Sequence, residues 1–145
     1  MRLRHISTGL VCLGVCGLAS GFIVTRLHRS ESSMRERFSK ELDTTGSNWT
    51  SRDIHKGKLG WIASASRSDL GNTYVFEVEG LPDAIGVSVK LQNAPIWAVH
   101  YSFSGSPLRA TNEPHLGEKD FPSERVHAIQ PLALELANAY SRTID

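Results

Sequence analysis

Residues 59–104 have the sequence LGWIASASRSDLGNTYVFEVEGLPDAIGVSVKLQNAPIWAVHYSFS, in which apolar and polar side chains alternate in four separate stretches. The four stretches are residues 59–66, 73–79, 85–92 and 96–104. Alternation with a period of two is typical of strands that bury one face. The turn-rich connections between the stretches are too short to contain a crossover helix. The sequence therefore predicts four antiparallel strands arranged as a meander.

The predicted sheet has one apolar face, which needs a second layer to cover it. After Pro122, Ser123 is a suitable N-cap, and apolar residues follow at three- and four-residue spacing. These residues are Val126, Ile129, Ala133, Leu136 and Tyr140. Pro131 interrupts the pattern, so either one kinked helix or two shorter helices are compatible with it. The expected fold is α+β, a four-stranded antiparallel meander sheet backed by a C-terminal helix, within residues 49–145.

A run of twenty uncharged residues occupies positions 6–25, and arginines flank it on both sides. A helix of that length spans roughly 30 Å, the thickness of the hydrocarbon core of a bilayer. The run predicts that residues 1–25 are a signal-anchor, an uncleaved single-pass transmembrane helix. The alternative is a secretory signal that is cleaved near Ala19 and releases a secreted domain. The count of Lys and Arg on the two sides of the run slightly favours a folded domain in the cytoplasm. Short N-terminal anchors, however, usually have their domain exported, and we expect the folded domain on the exported side.

The same run contains Gly17 and Gly21, a spacing that lets two membrane helices approach closely. A weak homodimer through the membrane span is therefore one hypothesis. Both cysteines, Cys12 and Cys16, also belong to this run, and residues 17–145 contain none. The rest of the chain accordingly has no disulfide, thiolate metal site or cysteine nucleophile.

Residues 26–48 are predicted to join the anchor to the domain. Met34, Phe38 and Leu42 recur every four residues, which indicates a short amphipathic helix. Its apolar stripe is able to lie on lipid headgroups or to pack against the folded domain, and packing is the more usual arrangement. Residues 43–48 are rich in turn-forming side chains and are expected to be a linker.

The overall composition excludes some classes of protein. The chain has 145 residues, of which 40% are hydrophobic, and it has 16 basic against 15 acidic side chains. These values are typical of one ordinary globular domain. A nucleic-acid-binding protein would normally carry a strong basic excess, so no nucleic-acid partner is expected.

The 105–127 loop contains candidate metal ligands. His115, Glu118, Asp120 and His127 supply nitrogen and oxygen ligands that suit a zinc-like ion. Their spacing matches no closed site, so exposed loop side chains are the preferred interpretation. Residues 104–107 (Ser-Gly-Ser-Pro) lack a glycine two residues before either serine and lack the following helix of a nucleophile elbow.

Charged and titratable side chains also lie on the polar face of the predicted sheet. Glu77 and Glu79 share this face with Lys90 and His100. On a solvated surface, carboxylates beside a lysine are expected to form weak cross-strand pairs and not to perform acid–base chemistry. No catalytic, cofactor-binding or metal-binding residue is therefore assigned.

The leading functional hypothesis is a single-pass membrane-anchored small domain that binds a protein partner or assists assembly, without catalysis. Its contact surface would be the edge strands or the outer face of the sheet, with Ser64, Val75, Lys90 and His100. The alternative is a cleaved, secreted domain that binds a small ligand or uses a metal ion through the 105–127 loop.

Overall fold

A computed structural model of the chain describes residues 29–69, 71–102, 108–112 and 123–145. Within these ranges the chain forms two helices and six strands. The helices are α1 (Glu31–Asp43) and α2 (Ser123–Ile144). The strands are β1 (Thr50–Lys56), β2 (Trp61–Asp69), β3 (Asn72–Gly80), β4 (Ala84–Leu91), β5 (Ala94–Ser102) and β6 (Arg109–Asn112). One compact unit extends from Glu31 to Asp145, so it includes the helix predicted within residues 26–48.

The six strands form one antiparallel sheet in which each strand pairs with its neighbours in the sequence. The predicted α+β class, the antiparallel meander and the C-terminal helix are confirmed, but the predicted number of four strands is wrong. Strands β2–β5 correspond to the four predicted stretches, and β1 and β6 add one strand at each edge. β1 has a single apolar residue, Ile54, and β6 is only four residues long, so neither shows an alternating pattern.

The inner face of the sheet is formed by rows of apolar side chains that run across the strands. In the central row, Ala65 pairs with Phe76, Phe76 with Val89, and Val89 with Trp97. All four side chains are buried, as the alternation predicted. Leu59, which was expected on this face, instead lies in the turn before β2 and is 81% exposed.

Helix α1 covers part of this face. Met34, Phe38 and Leu42 are fully buried in the same core as the sheet, so the stripe packs against the folded domain. The Glu31 carboxylate accepts a hydrogen bond from the Lys56 backbone N–H at 3.2 Å, which fixes the start of α1 against the end of β1.

Helix α2 continues through Pro131 as one helix, and does not divide into the two helices that the sequence also allowed. Its buried side chains include Ile129, Ala133 and Leu136. Glu135 accepts hydrogen bonds from the Trp49 Nε1–H at 2.6 Å and the Ser47 hydroxyl at 2.9 Å. These bonds join α2 to the segment between α1 and β1.

Near its end, α2 is held by Tyr140, whose hydroxyl donates to the Trp61 carbonyl oxygen at 2.5 Å. The pKa of Tyr140 is raised to about 12, mainly by burial and also by the nearby charge of Glu79. A hydrogen bond from the Gly80 backbone lowers this pKa, but by less than burial raises it. The phenol therefore stays protonated and remains a donor well above neutral pH. A Cβ at position 80 would lie 3.0 Å from the Tyr140 oxygen, so this close approach favours glycine.

No helix in the ranges that the structure describes is long and apolar enough to cross a membrane. The predicted anchor, residues 1–25, lies outside those ranges.

Candidate functional site

Within the described part of the chain, helices cover only one of the two faces of the sheet. Both helices pack against the inner face, α1 on β1 and α2 on β2–β4. We call the opposite side the outer face, and define it by the side chains of β1–β5 that alternate with the core residues. These are Asp53, His55, Ile62, Ser64, Val75, Glu77, Glu79, Ser88, Lys90, Ala98 and His100. The period-two alternation places them there, since their neighbours form the core.

The centre of the outer face carries an ion pair. The Lys90 ammonium lies 3.3 Å from the Glu77 carboxylate across β3 and β4, and both side chains are more than one-third exposed. An exposed pair of this kind contributes about 0–1 kcal/mol to stability. The pair therefore adds little to the fold, and its charges remain accessible from solvent.

Beside this pair, the side chains of three residues lie close to Gly86. A Cβ placed on Gly86 would lie 3.5 Å from His100 Cδ2, 3.5 Å from Leu81 Cδ1 and 3.7 Å from Glu79 Cγ. The side chains of Glu79 and His100 therefore flank the same glycine, in register across β3, β4 and β5.

Side chains of α1 bond to residues of β1 at the edge of the sheet. Arg35 of α1 bonds the Asp53 carboxylate at 2.9 Å, and His55 Nδ1 lies 3.6 Å from the same carboxylate. Partial burial acts to raise the pKa of Asp53, but the hydrogen bond and charge of Arg35 outweigh it and lower that pKa below its usual value. Because Glu31 also occupies the Lys56 N–H, α1 side chains already use part of this edge.

The candidates in the 105–127 loop are only partly described. His115, Glu118 and Asp120, together with residues 104–107, lie outside the described ranges, and His127 is exposed on α2. Among the residues with described positions, no three His, Cys, Asp or Glu side chains are grouped so that they could hold a metal ion.

Sequence reasoning missed two cavities between α2 and the sheet. One has a volume of about 230 Å³ and lies between α2 and strands β5 and β6. The other, of about 360 Å³, lies between α2 and the β2–β3 end of the sheet, beside Asp69, Tyr74 and Arg125. Their existence depends on the separation of α2 from the sheet, for which a residue pattern gives no signal.

Comparisons of the chain with protein-family models, with curated proteins and with solved structures find no significant match.

Proposed function

We propose that this chain is a single-pass membrane protein whose folded domain lies on the exported side and binds a protein partner through the outer face, without catalysis. Residues 1–25 are the proposed anchor. The observation that carries the contact surface is the arrangement of the two helices, both of which pack on the opposite side, so that no helix or strand of the described ranges covers the polar side of the sheet.

The size of the outer face is compatible with such a contact. The five strands of the outer face, about 4.8 Å apart and with up to nine residues at about 3.3 Å each, give an area of roughly 700 Å². A stable protein interface buries about 800 Å² on each partner. The outer face and its rim therefore provide enough surface for one protein partner.

The chemistry of the outer face favours a partner with complementary charge. Glu77, Glu79 and Lys90 place charges of both signs near the centre, while Ser88 and His100 add hydrogen-bonding groups. Charges arranged in this way determine orientation and partner choice more than total affinity. An open surface of this kind also differs from the concave pockets in which most catalysis occurs.

The proposed anchor is supported by the length of the uncharged run at residues 6–25 and by the arginines at both of its ends. A weak homodimer through Gly17 and Gly21 is a secondary part of the proposal. Cleavage near Ala19 would instead give the secreted alternative.

Site-specific photo-cross-linking tests the contact surface. A benzophenone amino acid replaces Val75 at the centre of the outer face in the full chain, and in a control it replaces the exposed Glu36 of α1. Illumination of intact membranes is expected to give one discrete adduct from position 75 and none from position 36. Adding Lys90→Glu should lower the yield of the position-75 adduct about tenfold, because the partner's charge opposite Lys90 would then meet a charge of the same sign. Lys90→Arg keeps the positive charge and should preserve the yield.

Circular dichroism of the Lys90→Glu protein checks that the sheet is intact. If position 75 gives no discrete adduct, or if Lys90→Glu and Lys90→Arg give equal yields, the outer face is not the contact surface.

A further inference from the structure

The turn between β1 and β2 combines an exposed apolar side chain with two basic ones. Its backbone is closed by a hydrogen bond from the Gly57 N–H to the Gly60 carbonyl oxygen at 2.6 Å. Lys58 and Leu59 lie between these two residues, and Lys56 ends β1 just before them. Leu59 is 81% exposed, and it is the one exposed large apolar side chain among the described residues. Both lysines are exposed as well.

A single exposed leucine is common on protein surfaces and does not by itself indicate a contact. An apolar side chain between two lysines, however, is suited to the surface of a bilayer. The apolar group enters the boundary between headgroups and acyl chains, and the ammonium groups stay at the level of the phosphates. Trp61, which is partly buried, begins β2 directly after the turn, and tryptophan is enriched at this level of membranes.

The turn also lies at the point where the chain enters the domain. The Glu31 carboxylate accepts the hydrogen bond of the Lys56 N–H at 3.2 Å, so the first residue of α1 lies beside the turn. Glu31 follows Thr25, the end of the uncharged run, by six positions. Six residues reach at most about 20 Å, so the proposed anchor would tether this turn close to the bilayer surface. The other end of β2, at Asp69, is roughly 30 Å further along the strand.

We propose that the β1–β2 turn, residues 57–60, contacts the bilayer that holds the anchor, with Leu59 in the headgroup region and Lys56 and Lys58 at lipid phosphates. This inference rests on the proposed anchor at residues 1–25. The residues between the uncharged run and Glu31 include two arginines and no acidic side chain, which favours the same contact.

A lipid surface fits this turn better than a protein does. A stable protein interface buries about 800 Å² on each partner, far more than one four-residue turn supplies. A bilayer requires no matching shape, and apolar insertion and attraction to phosphate are sufficient for it. The turn lies at the ends of two strands, whereas the outer face extends along them, so the lipid contact and the partner contact use different surfaces.

Paramagnetic broadening in NMR spectra tests the contact. The full chain is placed in nanodiscs of phosphatidylcholine and phosphatidylglycerol, with and without a lipid that carries a nitroxide at the top of its acyl chain. The backbone amide signal of Gly60 is expected to be broadened by the nitroxide. The amide signal of Ala128 is the control, because Ala128 is exposed and lies beside Asp69, at the other end of β2. It should keep its intensity.

Two pairs of variants separate contact from mere proximity. Lys58→Glu is expected to shift the ratio of bound to free turn at least about fivefold towards free, whereas Lys58→Arg should leave this ratio unchanged. Leu59→Ser should likewise reduce the broadening of the Gly60 signal, and Leu59→Met should preserve it. Both substituted side chains are exposed, so each variant is expected to keep the fold.

Flotation of the same chain with vesicles of these lipids after an alkaline wash reports on the anchor separately. A chain that floats while its Gly60 signal is broadened no more than that of Ala128 would overturn the turn contact and leave the anchor intact. Equal broadening in wild type, Lys58→Glu and Leu59→Ser would also overturn it, because the turn would then be near the lipids without binding them. A chain that does not float would refute the anchor, and the turn contact with it.

Discussion

Replacing Phe38 by alanine is expected to lower the free energy of unfolding by about 3–5 kcal/mol, the usual cost of truncating a buried phenylalanine. Phe38 is fully buried between α1 and the sheet, in one core with Ile54 and Phe76. A domain of this size has a total stability of about 5–15 kcal/mol. The variant should therefore lose a large part of its stability, which urea denaturation followed by circular dichroism will measure.

The matched control is Glu36→Ala, two positions earlier on the same helix, where the side chain is exposed. It should change the free energy of unfolding by less than about 0.5 kcal/mol. If Phe38→Ala were as mild as Glu36→Ala, α1 would not be part of the domain core.

Replacing Glu135 by leucine is expected to lower the free energy of unfolding by about 2–3 kcal/mol. The change removes the acceptor for the Trp49 Nε1–H and for the Ser47 hydroxyl. Because Trp49 is only 3% exposed, its N–H would be left buried without a partner. Hydrogen bonds to charged groups are also worth more than those between neutral groups.

Glu135→Gln keeps one oxygen acceptor of the same shape, and it should lose only about 1 kcal/mol. The Trp49 indole N–H resonance provides a direct readout, since it should move upfield in the leucine variant and stay near its original position in the glutamine variant. Equal losses of stability in the two variants would show that the carboxylate does not hold Trp49.

Most of the sheet could be predicted because its central strands bury one face and expose the other. Strands β2–β5 alternate apolar and polar residues over their full lengths, as in Tyr74, Phe76 and Val78. The edge strands could not be found in the same way. β1 pairs with β2 through its backbone and is contacted by Arg35 and Glu31 of α1, and these long-range contacts leave no local pattern.

The candidate sites, like the strands, could be predicted from the sequence only in part. Alternation alone was enough to place Glu77, Lys90 and His100 on the polar side of the sheet. It also placed Trp97 on the apolar side, but a pattern cannot show that its N–H lacks an acceptor among the described residues. Such a fact depends on the three-dimensional surroundings of β5.

The central claim is that the domain remains attached to a membrane by residues 1–25, and the intact mass of the native protein tests it most directly. The membrane and soluble fractions of cells that produce the protein are analysed separately by mass spectrometry. We expect a mass that includes residues 6–25, found in the membrane fraction after an alkaline wash. A shorter chain beginning near Ser20 or Phe22, found in the soluble fraction, would contradict it and would indicate a secreted domain.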